Sequence, residues 1–511
     1  MTPPPLLVGD VFTNAARARP DSPAAVLGTG ALTFGELDQR ANRTARALAR
    51  LGVGAGDRVA VWCNTTLDAV PAFAAVTKLG APFAPVNGGL TIDEAAEMAG
   101  AIGPALLLVD EDLAGPGAEV AGRLGVPWFH LGGLAGPDTG GDDPRSLAGL
   151  ASAEPPDAVE ATIAETDPHV VFFTSGSTGR SKGVVLSHRV NVLRSHPGAL
   201  LEPRGPMVCP YPLFHMGAWT IALQQWQARA TVVFPVDTGP AALCDAVADH
   251  GATRLNAVPA LWRRILDYLA DPATPAEPLA SLRFADTGTS ATPVELLDAI
   301  AAAAPNAHLR VFYGSTEAGS VTMLDHADVA AKPGSCGLPG PGTEVRLDPS
   351  GELLVAGPLV FDHYDGDPDA TAEAFVDGWY RTGDLAEIDD EGYVSIIGRV
   401  RDVIRTGGET VAPAEVEAVV LDHPAVADAA VVGLPDPDWG EVVCAAVVPA
   451  DGSGSVEFDV AELRDHCSDR LASHKHPRRV ATVTAIPRTA ATGQVRRGLL
   501  VETLLASGAV S

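Results

Sequence analysis

The chain has 511 residues, of which 46% are hydrophobic, so it can bury a large core and is expected to divide into two or more domains. Its formal net charge of -29 argues against nucleic acid or an anionic membrane surface as a main partner. The sequence contains no run of about 18 consecutive apolar residues, so no transmembrane helix is predicted.

The six cysteines lie far apart and include no Cys-x-x-Cys pair; they occupy positions 63, 209, 244, 336, 444 and 467. This spacing predicts neither a zinc site nor a disulfide framework. The segment Met1–Pro5 lacks the basic and apolar regions of a signal peptide. Together these features predict a cytoplasmic protein.

Residues 31–90 show alternating helix and strand patterns. Thr33 and Glu36 predict a capping box at the start of a helix, and Val59–Trp62 predicts a buried strand. A second helical pattern runs towards Gly80. The alternation continues to about residue 320, which predicts a largely parallel sheet covered by helices.

The later segments change character twice. Residues 133–157 are rich in Gly, Pro and Asp and are expected to be irregular, whereas 334–397 contain short strand patterns and many glycines. The predicted fold class is α/β, with a large N-terminal domain (1–398) of parallel-type sheets covered by helices plus a β-rich subdomain. A small α+β C-terminal domain (399–511) follows. Its predicted helices cover 415–420 and 460–471, and its predicted strands cover 425–433 and 442–449.

A loop rich in Gly, Ser and Thr, Thr174–Gly183, follows the apolar stretch His169–Phe173. Glycines and small hydroxyl residues let backbone N–H groups curl around an anion, and Lys182 adds a mobile positive charge. The spacing is not that of a Walker A loop, and an ordinary surface turn is the alternative. We predict a phosphate-binding loop.

Two further segments carry polar groups suited to a nucleotide. Tyr313–Glu317 follows an apolar strand, where α/β sheets place ligands, and Glu317 could be one of the carboxylates that hold Mg²⁺. In Tyr380–Asp384, an Asp after a tight Gly turn could accept hydrogen bonds from two ribose hydroxyls. The alternatives are a strand-end turn with a solvated Glu and a common β-turn Asp.

Two charged segments complete the series, Gly398–Asp402 at the predicted domain boundary and Pro487–Arg497 near the C-terminus. Taken alone they would be a charged linker and an exposed basic loop. The order and spacing of all these segments over residues 10–500 resemble the adenylate-forming superfamily. That superfamily contains acyl-CoA synthetases, nonribosomal peptide adenylation domains and beetle luciferases, and the resemblance is closest to acyl- or aryl-CoA ligases.

The resemblance implies a two-step reaction. MgATP activates a carboxylic acid as an acyl-adenylate with release of pyrophosphate, and the acyl group is then transferred to CoA. No protein nucleophile is needed, because the substrate carboxylate attacks the α-phosphorus. The resemblance also implies that the small C-terminal domain is mobile and rotates between the two steps, with Arg401 as the hinge.

The resemblance implies roles for individual residues of the ATP site. The phosphate loop would supply Thr174, Ser175, Gly176, Ser177, Thr178, Gly179 and Lys182. Adenine would lie against Gly288, Thr289, Ser290 and the ring of Tyr313. Gly314 and Ser315 would continue the site, with Thr316 at the α-phosphate and Glu317 at Mg²⁺. Asp384 and Arg399 would bind the ribose hydroxyls.

The segment Tyr211–Gly217 resembles the P-L-F-H-x-x-G segment of acyl- and aryl-CoA ligases. On that pattern His215 lies by the acyl pocket and influences access of substrate and thiol; a packed polar residue is the alternative. This region has no evident Asp of the kind that holds an amino acid's ammonium group, which argues against an amino-acid substrate.

The chain departs from the family at its C-terminal motif, P-x-T-x-x-G-K, because Gln494 stands where the family has lysine, and no lysine follows Lys475. A glutamine can donate a hydrogen bond but cannot neutralise charge in the transition state. Three explanations stay open. The substitution is engineered; or it is native and Arg496 or Arg497 supplies the charge; or the first half-reaction differs. Lys475 is expected to be structural or near the CoA side.

Three functions therefore remain open. The leading one is an AMP-forming acid–CoA ligase that uses Lys182, His215, Thr316, Glu317 and position 494 in catalysis. The second is an adenylating enzyme whose acceptor is an amine or a carrier-protein thiol, or whose substrate is an unusual oxyanion. The third is a nucleotide-binding protein impaired in adenylation, for which Gln494 is the only support.

Overall fold

A computed structural model describes residues 4–132, 143–175, 181–196, 205–274, 277–290, 292–406, 409–450, 458–489 and 493–507. Its α-helices are α1 (Gly9–Ala18), α2 (Phe34–Arg50), α3 (Ala69–Leu79), α4 (Ile92–Gly100), α5 (Ala114–Leu124), α6 (Leu147–Ser152), α7 (His188–Arg194), α8 (Met216–Gln227), α9 (Pro240–His250), α10 (Pro259–Leu269), α11 (Val294–Ala303), α12 (Pro368–Glu373), α13 (Pro413–Leu421), α14 (Val460–Cys467) and α15 (Arg497–Ser507). Short 3-10 turns cover Glu111–Leu113, Val400–Asp402 and Ser473–Lys475. Within these ranges, every helix is too short or too polar to cross a membrane.

The strands of the first half are β1 (Pro23–Leu27), β2 (Gly30–Thr33), β3 (Val59–Cys63), β4 (Phe83–Asn87), β5 (Leu106–Val109), β6 (Trp128–His130), β7 (Pro168–Ser175), β8 (Ser181–Ser187), β9 (Met207–Val208), β10 (Val232–Phe234) and β11 (Arg254–Asn256). Those of the second half are β12 (Phe284–Gly288), β13 (His308–Ser315), β14 (Gly319–Leu324), β15 (Leu338–Pro339), β16 (Glu344–Leu347), β17 (Glu352–Ala356), β18 (His363–Tyr364), β19 (Phe375–Val376), β20 (Trp379–Ile388), β21 (Val394–Arg399), β22 (Ile404–Thr406), β23 (Glu409–Val411), β24 (Val426–Asp436), β25 (Gly440–Pro449) and β26 (Arg479–Thr482).

The described strands form four sheets. Sheet A has nine strands in the order β15-β14-β13-β12-β11-β9-β10-β1-β2, and sheet B has seven in the order β18-β8-β7-β4-β3-β5-β6. Both sheets have parallel pairs in the middle. Sheet A is antiparallel at both ends, whereas sheet B is antiparallel at its β18-β8-β7 end and parallel at β5–β6. Sheet C joins β16-β17-β20-β19 with β21 beside β20, and sheet D joins β23-β22-β25-β24 with β26 beside β25.

The predicted α/β architecture is confirmed, with parallel-type sheets and helices in the N-terminal part and an α+β unit at the C-terminus. Thr33 and Glu36 form the predicted capping box, because each side chain accepts a hydrogen bond from the other residue's backbone N–H. Gly80 ends α3 with a φ of 72°, a left-handed conformation that favours glycine. The predicted β-rich stretch supplies sheet C.

Two details of the prediction are wrong. Part of the stretch expected to be irregular is helix α6, because Ser146 caps it through Gly149 N and both Leu147 and Ala151 are buried; positions 133–142 lie outside the described residues. The helix predicted over 460–471 ends at Cys467. After Cys467 the N–H groups of Ser468 and Arg470 donate to carbonyls three residues back, Asp465 O and Cys467 O, a turn pattern that replaces the α-helical one.

The large core connects sheets A and B through aromatic side chains. Phe73 on α3 stacks on Trp219 of α8 with ring centroids 4.1 Å apart, and Phe83 of sheet B meets Trp219 edge-on at 5.3 Å. All three side chains are buried. Buried side chains of β7, β8 and β14 belong to this same cluster, whereas those of β12 and β13 pack in a second cluster with α9, α10 and α11.

Candidate active site

The β7–β8 hairpin presents the ends of the predicted phosphate loop. Its register places Thr174 opposite Lys182 and Ser175 opposite Ser181. The predicted contacts Gly176, Ser177, Thr178 and Gly179 lie outside the described residues. The strands therefore bring a threonine and a lysine together at the base of the loop.

Glu317 follows β13, and its carboxylate lies beside the hairpin. Its Oε1 is 3.5 Å from the hydroxyl of Thr174 and accepts a hydrogen bond from the Tyr364 hydroxyl at 3.2 Å. The side chain is half-buried. Among the described residues, no lysine or arginine lies within ion-pair distance of this carboxylate, so its charge is left for a ligand.

Lys182 completes this group. Its Nζ lies 4.7 Å from the ring centroid of Tyr364, a cation–π contact that holds the ammonium near Glu317 without an ion pair to it. Tyr364 belongs to β18, which pairs with β8. The predicted phosphate-binding lysine and the predicted magnesium ligand thus face one tyrosine.

A second polar group forms where sheets A and C meet. The Tyr313 hydroxyl donates to Asp384 Oδ2 at 2.6 Å, and Arg399 Nε lies 2.6 Å from Asp384 Oδ1. Burial raises the pKa of Asp384, and the charge of Arg399 opposes that rise. Asp384 and Arg399 are cross-strand partners in β20 and β21, so the strand register itself joins the two predicted ribose contacts.

The predicted adenine-lining loop follows β12. A Cβ on Gly288 would lie 2.2 Å from the carbonyl oxygen of Phe312 on the neighbouring strand, so only glycine fits there. Thr289 has a φ of 68°, which is uncommon for a β-branched residue, and strain of this kind is concentrated at functional sites. Thr289 and Ser290 are exposed and available to a ligand.

The C-terminal turn meets this loop. Gln494 Nε2 donates to the carbonyl oxygen of Thr289 at 3.4 Å, and the turn is closed by a hydrogen bond from Thr489 N to Gln494 O. The residue in the family's lysine position therefore faces the adenine-lining loop.

The two arginines after Gln494 differ in their surroundings. Arg497 is bonded inside the small C-terminal unit, with Nη2 at 2.5 Å from Glu417 Oε1 and Nε at 3.3 Å from Val431 O. Arg496 has an exposed side chain. In this arrangement the guanidinium of Arg497 is bonded to Glu417 and Val431, whereas that of Arg496 is accessible to a ligand. Lys475 is paired with Glu415 at 2.7 Å, a contact within the small unit.

His215 is half-buried at the start of α8. Its Nδ1 accepts a hydrogen bond from Gly217 N at 3.0 Å, and its ring lies parallel to that of Tyr211 with centroids 5.8 Å apart. Burial lowers the pKa of His215 from its ordinary value of 6.5 to about 4. The imidazole is therefore neutral at neutral pH, and its Nδ1 is used by the backbone.

Arg401, the predicted hinge, lies in the 3-10 turn between β21 of sheet C and β22 of sheet D, with Nε 3.6 Å from Asp402.

Sequence reasoning missed two residues at the site, Tyr364 and Arg194. Tyr364 carries no motif around it. Arg194 donates to the carbonyls of Thr316 and Glu317, although it lies far from them in the sequence.

The chain is similar to known enzymes over nearly its whole length. The family described as AMP-binding enzyme matches residues 12–365, and the AMP-binding enzyme C-terminal domain matches residues 415–492. Feruloyl-CoA synthase from an Amycolatopsis species is 36% identical and covers 96% of this chain and 98% of its own length. Residues of both large and small units are therefore matched.

Two solved structures are similar over nearly the whole chain. ATP-bound MatB from Rhodopseudomonas palustris has a TM-score of 0.86 at 28% identity, covering 97% of this chain and 99% of its own. Amide bond synthetase McbA from Marinactinospora thermotolerans has a TM-score of 0.85 at 27% identity with the same coverage.

Proposed function

The chain belongs to the AMP-binding enzyme family, and from this premise we propose that it is an AMP-forming acid–CoA ligase. It activates a carboxylic acid with ATP and transfers the acyl group to CoA. The observation that carries the proposal is that Tyr364 contacts both Lys182 and Glu317, while Glu317 also lies beside the hydroxyl of Thr174. The group formed by Tyr313, Asp384 and Arg399 supplies the groups proposed for adenine and ribose.

The chemistry assigned to the site is an in-line displacement at the α-phosphorus. A carboxylate oxygen of the acid attacks that phosphorus, the bond to the bridging oxygen breaks, and pyrophosphate leaves with the electron pair. In the second step the CoA sulfur attacks the acyl carbon, and AMP leaves. The chain contributes positioning and charge neutralisation, with Lys182 and the phosphate loop at the departing phosphates and Thr316 at the α-phosphate.

Glu317 is the proposed Mg²⁺ ligand. Its carboxylate has hydroxyl groups from Thr174 and Tyr364 beside it, a donor set of hard oxygens that suits Mg²⁺. Among the described residues no group of three metal-binding side chains occurs, which fits a metal held by one carboxylate and substrate phosphates. Mg²⁺ would neutralise phosphate charge there.

We propose two domains, 1–398 and 399–511, of which the smaller rotates between the two half-reactions about a hinge at Arg401. The support is that β21 of sheet C ends at Arg399 and β22 of sheet D begins at Ile404, with only a 3-10 turn between them. A hinge needs residues that can change φ and ψ in an exposed linker, and Arg401 is exposed.

We place the enzyme in the cytoplasm, since all six cysteines are buried free thiols.

A second candidate function is suggested by Gln494. An enzyme that forms the adenylate and passes the acyl group to an amine or a carrier-protein thiol would share every other feature of the site, and an amide bond synthetase is among the similar structures. The acceptor separates the two: CoA thioester supports the first, and an amide or hydroxamate without a thioester supports the second.

The test is incubation of the purified chain with MgATP, CoA and a panel of aromatic, aliphatic and dicarboxylic acids. Acid-dependent pyrophosphate together with a thioester supports the ligase. Absence of pyrophosphate with every acid, both in the chain as it stands and in Gln494→Lys, would overturn it and leave an impaired nucleotide-binding protein.

A further inference from the structure

Arg194 ends α7 with its guanidinium buried, and it donates three hydrogen bonds to backbone carbonyls. Nη1 donates to Thr316 O at 2.8 Å, Nη2 donates to Glu317 O at 2.6 Å, and Nε donates to Leu359 O at 2.7 Å. Two of these three carbonyls belong to the residues proposed to touch the α-phosphate and Mg²⁺.

One of these carbonyls is held from a second side. Glu317 O also accepts from Phe361 N at 2.7 Å, so one oxygen receives two donors. Gly319 closes over the guanidinium: a Cβ there would lie 2.9 Å from Arg194 Nε. The backbone of Thr316 and Glu317 is thus fixed by contacts in which Arg194 is the central donor.

Burying the charged guanidinium of Arg194 to hold the segment at Thr316 and Glu317 costs free energy. Burial lowers the pKa of Arg194 to about 10, and the negative charges of Glu317 and Asp362 oppose that fall. No carboxylate of the described residues lies within ion-pair distance of the guanidinium, so the cation is satisfied by carbonyls alone. Its planar fork can serve three acceptors at once, which a lysine ammonium on a flexible stem cannot reproduce.

We propose that Arg194 is a positioning residue for adenylation: it fixes the backbone of Thr316 and Glu317 and so sets their side chains for the α-phosphate and Mg²⁺. This inference rests on the proposed function. It assigns Arg194 mainly to the first half-reaction, because acyl transfer to CoA needs no Mg²⁺ at Glu317, whereas the α-phosphate stays beside Thr316 in both steps.

The test compares Arg194→Lys and Arg194→Met with Gln227→Leu. Gln227 holds the same end of α7, through Val192 O at 3.2 Å and Ser195 Oγ at 2.7 Å, and its side-chain hydrogen bonds among the described residues go to α7 and its cap. Three quantities are measured in each variant: the rate of acid-dependent pyrophosphate release, the Mg²⁺ concentration for half-maximal rate, and thioester formation from supplied acyl-adenylate and CoA.

We expect Arg194→Lys to lower pyrophosphate release about tenfold and to raise the half-maximal Mg²⁺ concentration several-fold, with a smaller loss, of about threefold or less, in transfer from supplied adenylate. Gln227→Leu should lower thermal stability and leave the Mg²⁺ requirement unchanged. If Arg194→Met does not fold, the pyrophosphate release, Mg²⁺ requirement and acyl transfer of Arg194→Lys alone test the inference.

Equal losses in both half-reactions, or an unchanged Mg²⁺ requirement in Arg194→Lys, would overturn the inference while the ligase assignment stands. Absence of acid-dependent pyrophosphate in the wild-type chain would instead overturn the proposed function. The two failures are therefore distinguishable.

Discussion

Gln494 donates its side-chain amide to the carbonyl oxygen of Thr289 at 3.4 Å, and this contact joins the C-terminal turn to the loop after β12. Gly493 lies next to it, where a Cβ would be 3.5 Å from Ala260 at the start of α10. The turn thus rests on the large domain at two points. The backbone of residue 494 is held by the hydrogen bond from Thr489 N to Gln494 O, so its side chain can be replaced without loss of that bond.

We predict that Gln494→Lys raises the rate of acid-dependent pyrophosphate release. A lysine adds a positive charge where negative charge develops in the transition state, and one preorganised group of this kind is worth about 10²–10³ in rate. Single-turnover release of pyrophosphate measures the effect. An unchanged or lower rate would contradict it.

Arg496→Gln is the matched control for position 494, because Arg496 is exposed and lies two residues further along the same turn. If no other cation replaces the family's lysine at position 494, Arg496→Gln should change the rate by less than about threefold. A loss as large as the gain in Gln494→Lys would show that Arg496 already supplies the charge.

We predict that Glu317→Gln lowers pyrophosphate release by about 10²–10³, since the amide keeps the hydrogen bond from Tyr364 but loses the charge that binds Mg²⁺. The rate is measured against Mg²⁺ concentration, and part of the loss should be recovered at high Mg²⁺. Glu391→Gln, an exposed residue paired with Lys332, is the control and should behave as wild type. A rate loss that is independent of Mg²⁺ would contradict the assignment.

We predict that Tyr313→Phe raises the KM for ATP several-fold, because the ring is kept but the hydrogen bond to Asp384 is lost. The free energy of unfolding should fall by about 2 kcal/mol, the usual net contribution of a hydrogen bond to a charged group. Tyr313→Leu removes the ring as well and should raise KM further if the ring stacks on adenine. Equal KM values in the two variants would contradict stacking.

The pH dependence of stability has a predicted contribution from His188. Burial lowers its pKa from 6.5 to about 4, so between these values the unfolded chain binds the proton and the folded one does not. Above pH 6.5 the imidazole of His188 is neutral in both states and does not reduce the free energy of unfolding. As the pH falls to 4, protonation of the unfolded chain lowers that free energy by about 3 kcal/mol. Urea unfolding at pH 7, 5.5 and 4.5 should give a flatter profile for His188→Gln than for wild type; parallel profiles would contradict this.

Much of the site was predictable from the sequence because its parts lie at strand ends. Thr174 and Tyr313 follow apolar strand patterns, and parallel strands such as β12 and β13 place their carboxyl ends at one edge of a sheet. The capping box at Thr33 was predictable for a similar reason, since both partners lie within one turn.

Arg194 and Tyr364 were not predictable. Arg194 donates to the backbone carbonyls of Thr316, Glu317 and Leu359. Because every residue has such a carbonyl, no residue type in the sequence indicates these partners. Tyr364 reaches Glu317 only because the two-residue strand β18 pairs with β8 at the edge of sheet B. Contacts of this kind depend on how separate sheets meet, which periodicity does not encode.

The most direct measurement uses an acid labelled with ¹⁸O in its carboxyl group, incubated with MgATP, CoA and the Gln494→Lys variant alongside wild type. If the carboxylate attacks the α-phosphorus, one labelled oxygen stays on phosphorus when the thioester forms, and mass spectrometry finds it in AMP. That is the result we predict. Unlabelled AMP, or ADP with the label in inorganic phosphate, would contradict acyl-adenylate formation at this site.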